Sequence, residues 1–343
     1  MKIFGGLSRE KKAGSVVLVD ITADSVAGGY AVCSEGQPPL LLYGQRSPIG
    51  AHADEQGASA MLRTLTALGE VLIREGAPAL AQQAGSGTVS RIVVSLGAPW
   101  QETSVRTEHF ENATPFVFTR GLIEQAMKKT GSAAGKVLSD ESVIGTTVNG
   151  YRTNNPYGKK AHRAAAIILS SFVEQSVAEN ISTALRGLYH LQHIEFIAGS
   201  SLRYQALRAI FPHERTTLIL DATSSFVSVC LVRNDLLVAL SEIAGGDAGS
   251  EPWAKKVADG LAVLGKEYPL PRTIFLLAHE DEAEKIRAAL TGAPFASLWL
   301  SDNPPKIVSV LPANLTDFVK RSETAPADLP LLLMALHGVR RTA

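Results

Sequence analysis

The sequence predicts an α/β protein made of two homologous halves, and three observations carry that prediction. The stretch "VVLVDITADSVAGGYAV" from Val16 to Val32 is echoed by "TLILDATSSFVSVCLV" from Thr217 to Val232. In both, branched apolar residues end in an aspartate, a threonine stands two positions later, and a valine opens a second apolar run after small polar residues. The two copies lie about 200 residues apart, too far for a stacked short repeat, so they mark duplicated halves. Each copy also opens a three-stranded antiparallel meander, and helical and strand-like periods alternate after it.

In the first half the meander runs through Val16–Asp20, Ser25–Val32 and Leu40–Tyr43. From Ala53 to Glu75 the residues Met61, Leu62, Leu65, Leu68, Val71 and Leu72 recur at helical spacing, which predicts a helix packed on a sheet. "APALAQQAGSGT" from Ala77 to Thr88 reads as a surface loop, and "RIVVSLGAPW" from Arg91 as a strand entering a turn. "FVFTRGLIEQAMKKTG" predicts a strand, a cap at Thr119, a short helix and a stop at Gly131. Residues 136–171 are strand-rich, with Pro156 and Gly158 at a turn, and Val177, Ile181, Ala184, Leu185 and Leu188 share a helical face.

In the second half the strands are Thr217–Asp221, Phe226–Val232 and Leu236–Leu240, with "RND" as a tight turn. Ser250 is placed to cap the helix in "SEPWAKKVADGLAVLG", "RTIFLLA" is a buried strand, and "EDEAEKIRAALTG" is helical. "ADLPLLLMALHGVRR" is a closing helix burying Leu332, Leu333 and Leu336, too short to span a bilayer.

With 343 residues the chain has room for two lobes with their own cores. Apolar residues at 45% and charged residues at 19% describe a soluble globular protein. Thirty-three basic residues balance 33 acidic ones, so nothing favours nucleic acid or an anionic membrane as a partner. Cys33 and Cys230 fall inside strands as small hydrophobes, which fits a reducing cytoplasm. Residues 1–14 lack a secretion signal and read as a flexible leader, with a weak amphipathic anchor at Met1 to Lys12 as the alternative. His190 and His193 have metal-like spacing but no acidic or cysteine partner close in sequence.

A strand that ends in aspartate and turns at once into another strand can present backbone N–H groups to an anion, while its carboxylate holds a cation or its waters. Two such hairpins facing across a cleft would grip the phosphates of a nucleotide. On these two stretches, on "AGGD" at Ala244–Asp247 and on the order of the middle segments, the sequence resembles the actin, sugar kinase and heat-shock chaperone ATPase superfamily. It is most similar to the FtsA cell-division and PilM pilus-assembly proteins over Ser15 to about His337.

The resemblance implies a duplicated actin-like (ribonuclease H-like) two-lobed α/β fold with an inserted small α+β subdomain. It places residues 15–90 and 188–215 in the first lobe with 330–343 as its closing helix, 91–187 in the insert and 216–329 in the second lobe. It implies ATP and Mg as cofactors, with Asp20, Thr22, Ser25, Asp221, Thr223, Ser224, Gly245 and Gly246 at the nucleotide and Asp20 and Asp221 at the metal. Three departures predict that ATP binding is weakened or lost. Family members carry glycine where Thr22 and Thr223 stand, because a residue without Cβ lets the backbone approach a phosphate. The glycines expected after "TIFLLA" are replaced by "HEDEAEK", so Glu280, Asp281 and Glu282 would crowd a triphosphate with like charge. The hydroxyls and carboxylates that remain are equally suited to plain turn chemistry.

The function implied is a cytoplasmic scaffold resembling PilM or FtsA, not an enzyme, peripheral at the inner face of the membrane through the cytoplasmic peptide of a pilus, secretion or division protein. Partner or self contacts are expected around Gly121–Lys129 and Tyr151–Lys160. FtsA proteins add an amphipathic membrane helix after the last body helix, whereas this sequence ends at Ala343 without one, so docking on a membrane protein is the expectation. The alternatives are an ATP-binding protein that polymerises and a small-molecule kinase, for which no general-base motif is recognisable.

Overall fold

The computed structural model describes residues 14–340 apart from 51–54, 56, 132–133, 293–297 and 300–304, so nearly all of the predicted leader lies outside the described residues. Strand β1 (Gly14–Ile21) is buried along all but its first residue, the pattern of a strand covered on both faces. It pairs antiparallel with β2 (Ser25–Cys33), which pairs antiparallel with β3 (Leu40–Pro48). On its other side it pairs in parallel with β4 (Arg91–Leu96), which pairs in parallel with β9 (Ile194–Ala198).

The second sheet repeats this arrangement strand for strand. Its order is β12 (Leu236–Ala244), β11 (Phe226–Arg233), β10 (Thr217–Asp221), β13 (Thr273–Leu277) and β14 (Lys306–Val310), with the same antiparallel and parallel senses. The duplication legible in two short stretches therefore extends over five strands of each sheet. The predicted "RND" turn is present, with Asn234 and Asp235 both at positive φ, as a two-residue hairpin requires. The first sheet gains an edge strand, β15 (Lys320–Arg321), parallel to β3.

Helices fill the layers between and outside the sheets. On the outer face of the first sheet lie α1 (Gly57–Val71), α2 (Ala77–Ala84) and α4 (Gln175–Tyr189). On the outer face of the second lie α6 (Glu251–Glu267) and α7 (Ala283–Gly292). Between the sheets, α5 (Gly199–Ile210) and α8 (Leu329–Arg340) bring Leu202, Leu207, Leu332 and Leu333 against Val16 and Leu18 on one side and Ile219 and Cys230 on the other. One continuous core thus joins the two lobes.

Two local expectations change. Ala77–Thr88, read as a loop, is helical over Ala77–Ala84: Pro78 sits in the first turn, Leu80 is fully buried, and Gly85 ends the helix at φ 73°. Thr119 stands at the start of a helix but makes no side-chain capping bond, whereas Ser250 accepts from Trp253 N at 3.3 Å as expected.

The remaining strands form a third sheet in the order β5 (Gln101–Val117), β8 (Lys160–Glu174), β6 (Lys136–Val148) and β7 (Tyr151–Arg152). Helix α3 (Arg120–Met127) covers one face through Ile123 and Ala126. The boundaries differ from 91–187. Strand β4 is hydrogen-bonded inside the first sheet, and α4 packs over that sheet's outer face, because their apolar residues have their complement there. Likewise Lys320–Arg321, expected in the second lobe, pairs with the first sheet.

Candidate functional site

The duplicated topology puts the C-terminal ends of β1 and β10 at the junction of the lobes, so Asp20 and Asp221 converge there. Helix α5 begins at Gly199, directly after β9, and crosses from the first sheet to the second. One turn into it stands Arg203, only 3% exposed. Its Nη2 donates to Asp20 Oδ1 at 3.0 Å, its Nε to Asp221 Oδ2 at 3.0 Å and its Nη1 to Ser95 Oγ at 3.2 Å. A single guanidinium therefore bridges the aspartates of both hairpins.

A second arginine completes the network. From β3, Arg46 donates to Asp20 Oδ2 at 3.2 Å, to Ser25 Oγ at 2.9 Å and to both carboxylate oxygens of Asp328 at 2.7 and 3.0 Å. Asp328 in turn accepts from Leu331 N at 3.0 Å in the first turn of α8. Burial opposes ionisation of Asp20, but the Arg203 and Arg46 guanidinium groups outweigh it and hold the carboxyl below the usual range. Charge-assisted bonds of this kind are the strong ones, and at 1% exposure Asp20 has no water to compete for it.

The hairpin amides are engaged internally. Thr22 N donates to Ser25 O at 3.0 Å and Ser25 N to Thr22 Oγ1 at 3.3 Å. In the second hairpin, Thr223 N and Thr223 Oγ1 both donate to Asp221 Oδ1, at 3.1 and 2.6 Å, and Phe226 N donates to Ser224 Oγ at 3.2 Å. Ser225 N crosses the junction to Asp24 Oδ2 at 3.0 Å. Gly245 N and Gly246 N both donate to Ser225 O, at 2.9 and 3.0 Å. Gly245 packs so closely on Trp253 that a Cβ there would stand 2.6 Å from the indole, and Gly246 turns at φ 86°.

An open cleft of about 1010 Å³ lies above these hairpins, bordered by Ser25, Thr223, Ser224 and Gly246. Its walls carry Asp24, Asp247, Glu280, Asp281 and Glu282, with Arg46 and His279 as the basic side chains along it. His279 Nε2 is 3.0 Å from Thr223 O and so braces the second hairpin. Beneath the hairpins, Asp20, Thr22, Ser200, Arg203, Asp221 and Thr223 border a small cavity of about 30 Å³. All the residues predicted to surround the nucleotide are thus gathered at the junction except Gly245, which serves the packing of α6.

Arg203, Arg46 and Asp328 carried no motif. A signal for Arg203 existed: it falls on the stripe Gly199, Arg203, Ala206, Leu207 and Ile210, the apolar face of its helix, where an arginine demands a carboxylate partner. Ser95, the one buried polar residue in β4, is the other trace of the same network.

No family model matches the chain, and no curated protein does. Among solved structures, a chain of a PilM–PilN type IV pilus biogenesis complex matches with a TM-score of 0.59 and 15% identity, covering 96% of this chain and 99% of that one. The chain has a two-lobed actin-like fold. A protein with actin-like ATPase fold from Bacteroides thetaiotaomicron is similar at a TM-score of 0.49 and 8% identity, over 96% of this chain and 99% of that chain. The cytoplasmic domain of EpsL, an inner membrane component of the Vibrio cholerae type II secretion system, is similar at 0.38 and 10% identity, over 96% of each chain. The actin-like fold accounts for the paired hairpins; the arginines between them are read from this chain alone.

Proposed function

We propose that this chain is a non-catalytic actin-like scaffold whose cleft has given up Mg and ATP, and that it serves a membrane-associated assembly of the type IV pilus or secretion kind. The observation that carries the reading is the Arg203 bridge. Asp20 and Asp221, the expected metal carboxylates, already hold a guanidinium, and a divalent cation would have to displace a buried, triply bonded side chain. In this reading the metal role of the two aspartates passes to Arg203. Three further features support the loss of nucleotide. Thr22 and Thr223 place Cβ atoms where a phosphate would need close backbone approach, the amides of Thr22, Ser25, Thr223 and Ser225 have protein acceptors, and the cleft walls are acidic.

The scaffold role rests on the likeness to the chain from the PilM–PilN complex. By analogy of fold, the partner is the cytoplasmic peptide of a membrane protein, and the chain is held at the inner face of the membrane by it. Among the described residues no helix is long and apolar enough to cross a membrane itself. The insert offers exposed aromatic side chains for contacts with a partner or another copy: Tyr151 is 79% exposed and Tyr157 43%.

Two measurements test the proposal. Isothermal titration with Mg and ATP is expected to give no heat at millimolar nucleotide, and micromolar binding or ADP release would overturn the loss of ATP. Fractionation of cells is expected to recover the chain with inner membranes and to lose it from them when the membrane partner, identified by crosslinking, is deleted. A chain that stays wholly in the supernatant would refute the scaffold role.

A further inference from the structure

Every polar hydrogen-bearing nitrogen type of Arg203 is bound to an acceptor, and the acceptors belong to different sheets: Asp20 and Ser95 to the first, Asp221 to the second. We propose that Arg203 is a resident cation that holds the two lobes closed with no ligand bound, so that the molecule presents its partners with one fixed pose. The cation sits on α5, the segment that runs from β9 of the first sheet towards β10 of the second, so the closing charge is covalently part of the crossing between the lobes. Parting the hairpins would strip a 3% exposed guanidinium of carboxylates on one side or the other and leave an uncompensated charge in the junction.

The junction has a second, weaker latch and little free space. Asp24 of the first hairpin receives Ser225 N of the second at 3.0 Å, which ties the tips as Arg203 ties the roots. The cavity beside Arg203, about 30 Å³, has room for about two water molecules. Ser200 borders it and is 4% exposed, with a hydroxyl that has no protein partner. An exchangeable ligand would make closure depend on its concentration. A side chain present at one per molecule makes closure constant.

The inference uses the same contacts as the proposed function but does not require it: calorimetry with nucleotide decides that reading, and motion of the hairpins decides this one. Hydrogen exchange read by mass spectrometry, with small-angle scattering in parallel, compares the full chain with Arg203→Met, Arg203→Lys and Asp221→Asn. In the unmodified chain, peptides covering 20–27 and 221–228 are expected to be protected equally with and without Mg and ATP. Arg203→Met is expected to speed exchange in both by about tenfold or more and to enlarge the radius of gyration, with β6 and β8 of the insert unchanged as an internal control. Arg203→Lys, one charge without the planar fork, falls between. Should Arg203→Met not fold, Asp221→Asn cuts only the second-lobe arm and is expected to loosen 221–228. Unchanged exchange in the hairpins of folded variants would overturn the resident clasp.

Discussion

Glu242 gives a prediction whose sign and size both come from the structure. It lies on β12 opposite Ser228 of β11, which is opposite Asp221 of β10, so three polar residues form a row across the second sheet. Burial, and then repulsion from Glu102 on β5, push its carboxyl up to about 7. The protonated form is therefore the one the fold prefers. In the unfolded chain the group titrates near the ordinary value of about 4.3, so between there and pH 7 the unfolded state releases a proton that the folded state keeps. Stability from this group is present in full below the unfolded value, falls as pH rises, and is flat above 7.

The rise from about 4.3 to about 7 corresponds to at most about 3.7 kcal/mol, and partial solvent contact reduces it to about 1–2 kcal/mol. Glu242→Gln removes the titration while keeping the shape. The expected result is a variant equal to the unmodified chain near pH 4.5 and more stable by about 1–2 kcal/mol at pH 8. With about 2.1 cal/mol/K of unfolding entropy per residue over 343 residues, that is a rise of about 1–3 °C in a single calorimetric transition. A difference between the two proteins that does not change with pH, or that is largest in acid, would refute the reasoning.

Other consequences are checked in the same way. Asp20 has the opposite sign: its carboxyl is held below 3.8, so its contribution is full above that value and is lost as pH falls, and Asp20→Asn should flatten the acid limb of the stability curve. Asp235, 6% exposed, pairs with Arg208 and, at 3.0 and 2.9 Å, with Arg152 of the insert and Arg215; Asp235→Asn keeps its positive-φ turn but should cost about 2 kcal/mol by denaturant titration. Leu80→Ala should cost about 2–4 kcal/mol if Ala77–Ala84 is the packed helix described here, and under about 0.5 kcal/mol if it were a surface loop.

The fold was legible because its repeat is written in strand chemistry. The runs ending at Asp20 and Asp221 are apolar, β-branched and closed by turn residues, and the shared pattern needed no helix assignment to be seen. The first lobe's edges were less legible. Nothing local distinguishes β4, apolar like any buried strand, as a member of the first sheet, since only its pairing with β1 shows it. The helix at Ala77 was hidden by Pro78 and by the Gly85-Ser86-Gly87 run that follows, which read as a loop although alanine, leucine and glutamine favour a helix. Turn residues of the site were legible by position, but their partners were not. Arg46 and Asp328 are 282 residues apart, and no sequence pattern joins them.

The duplication itself explains why a cation belongs at the junction. Two homologous strands deliver two carboxylates to one place, where their like charges repel unless a cation stands between them. A ligand can bring that charge, or the chain can. Arg203 reaches Asp20 and Asp221 with two separate nitrogens of one planar group, a fit that a lysine's point charge lacks. With the guanidinium in place, a second cation would meet repulsion from it at the same two carboxylates. Threonine at positions 22 and 223 then gains, because its hydroxyl anchors the turn to Ser25 O in one hairpin and to Asp221 in the other. On the proposed reading the occupied carboxylates and the braced hairpins act together, so Arg203→Ala alone, or glycine at positions 22 and 223 alone, is not expected to yield nucleotide binding in calorimetry.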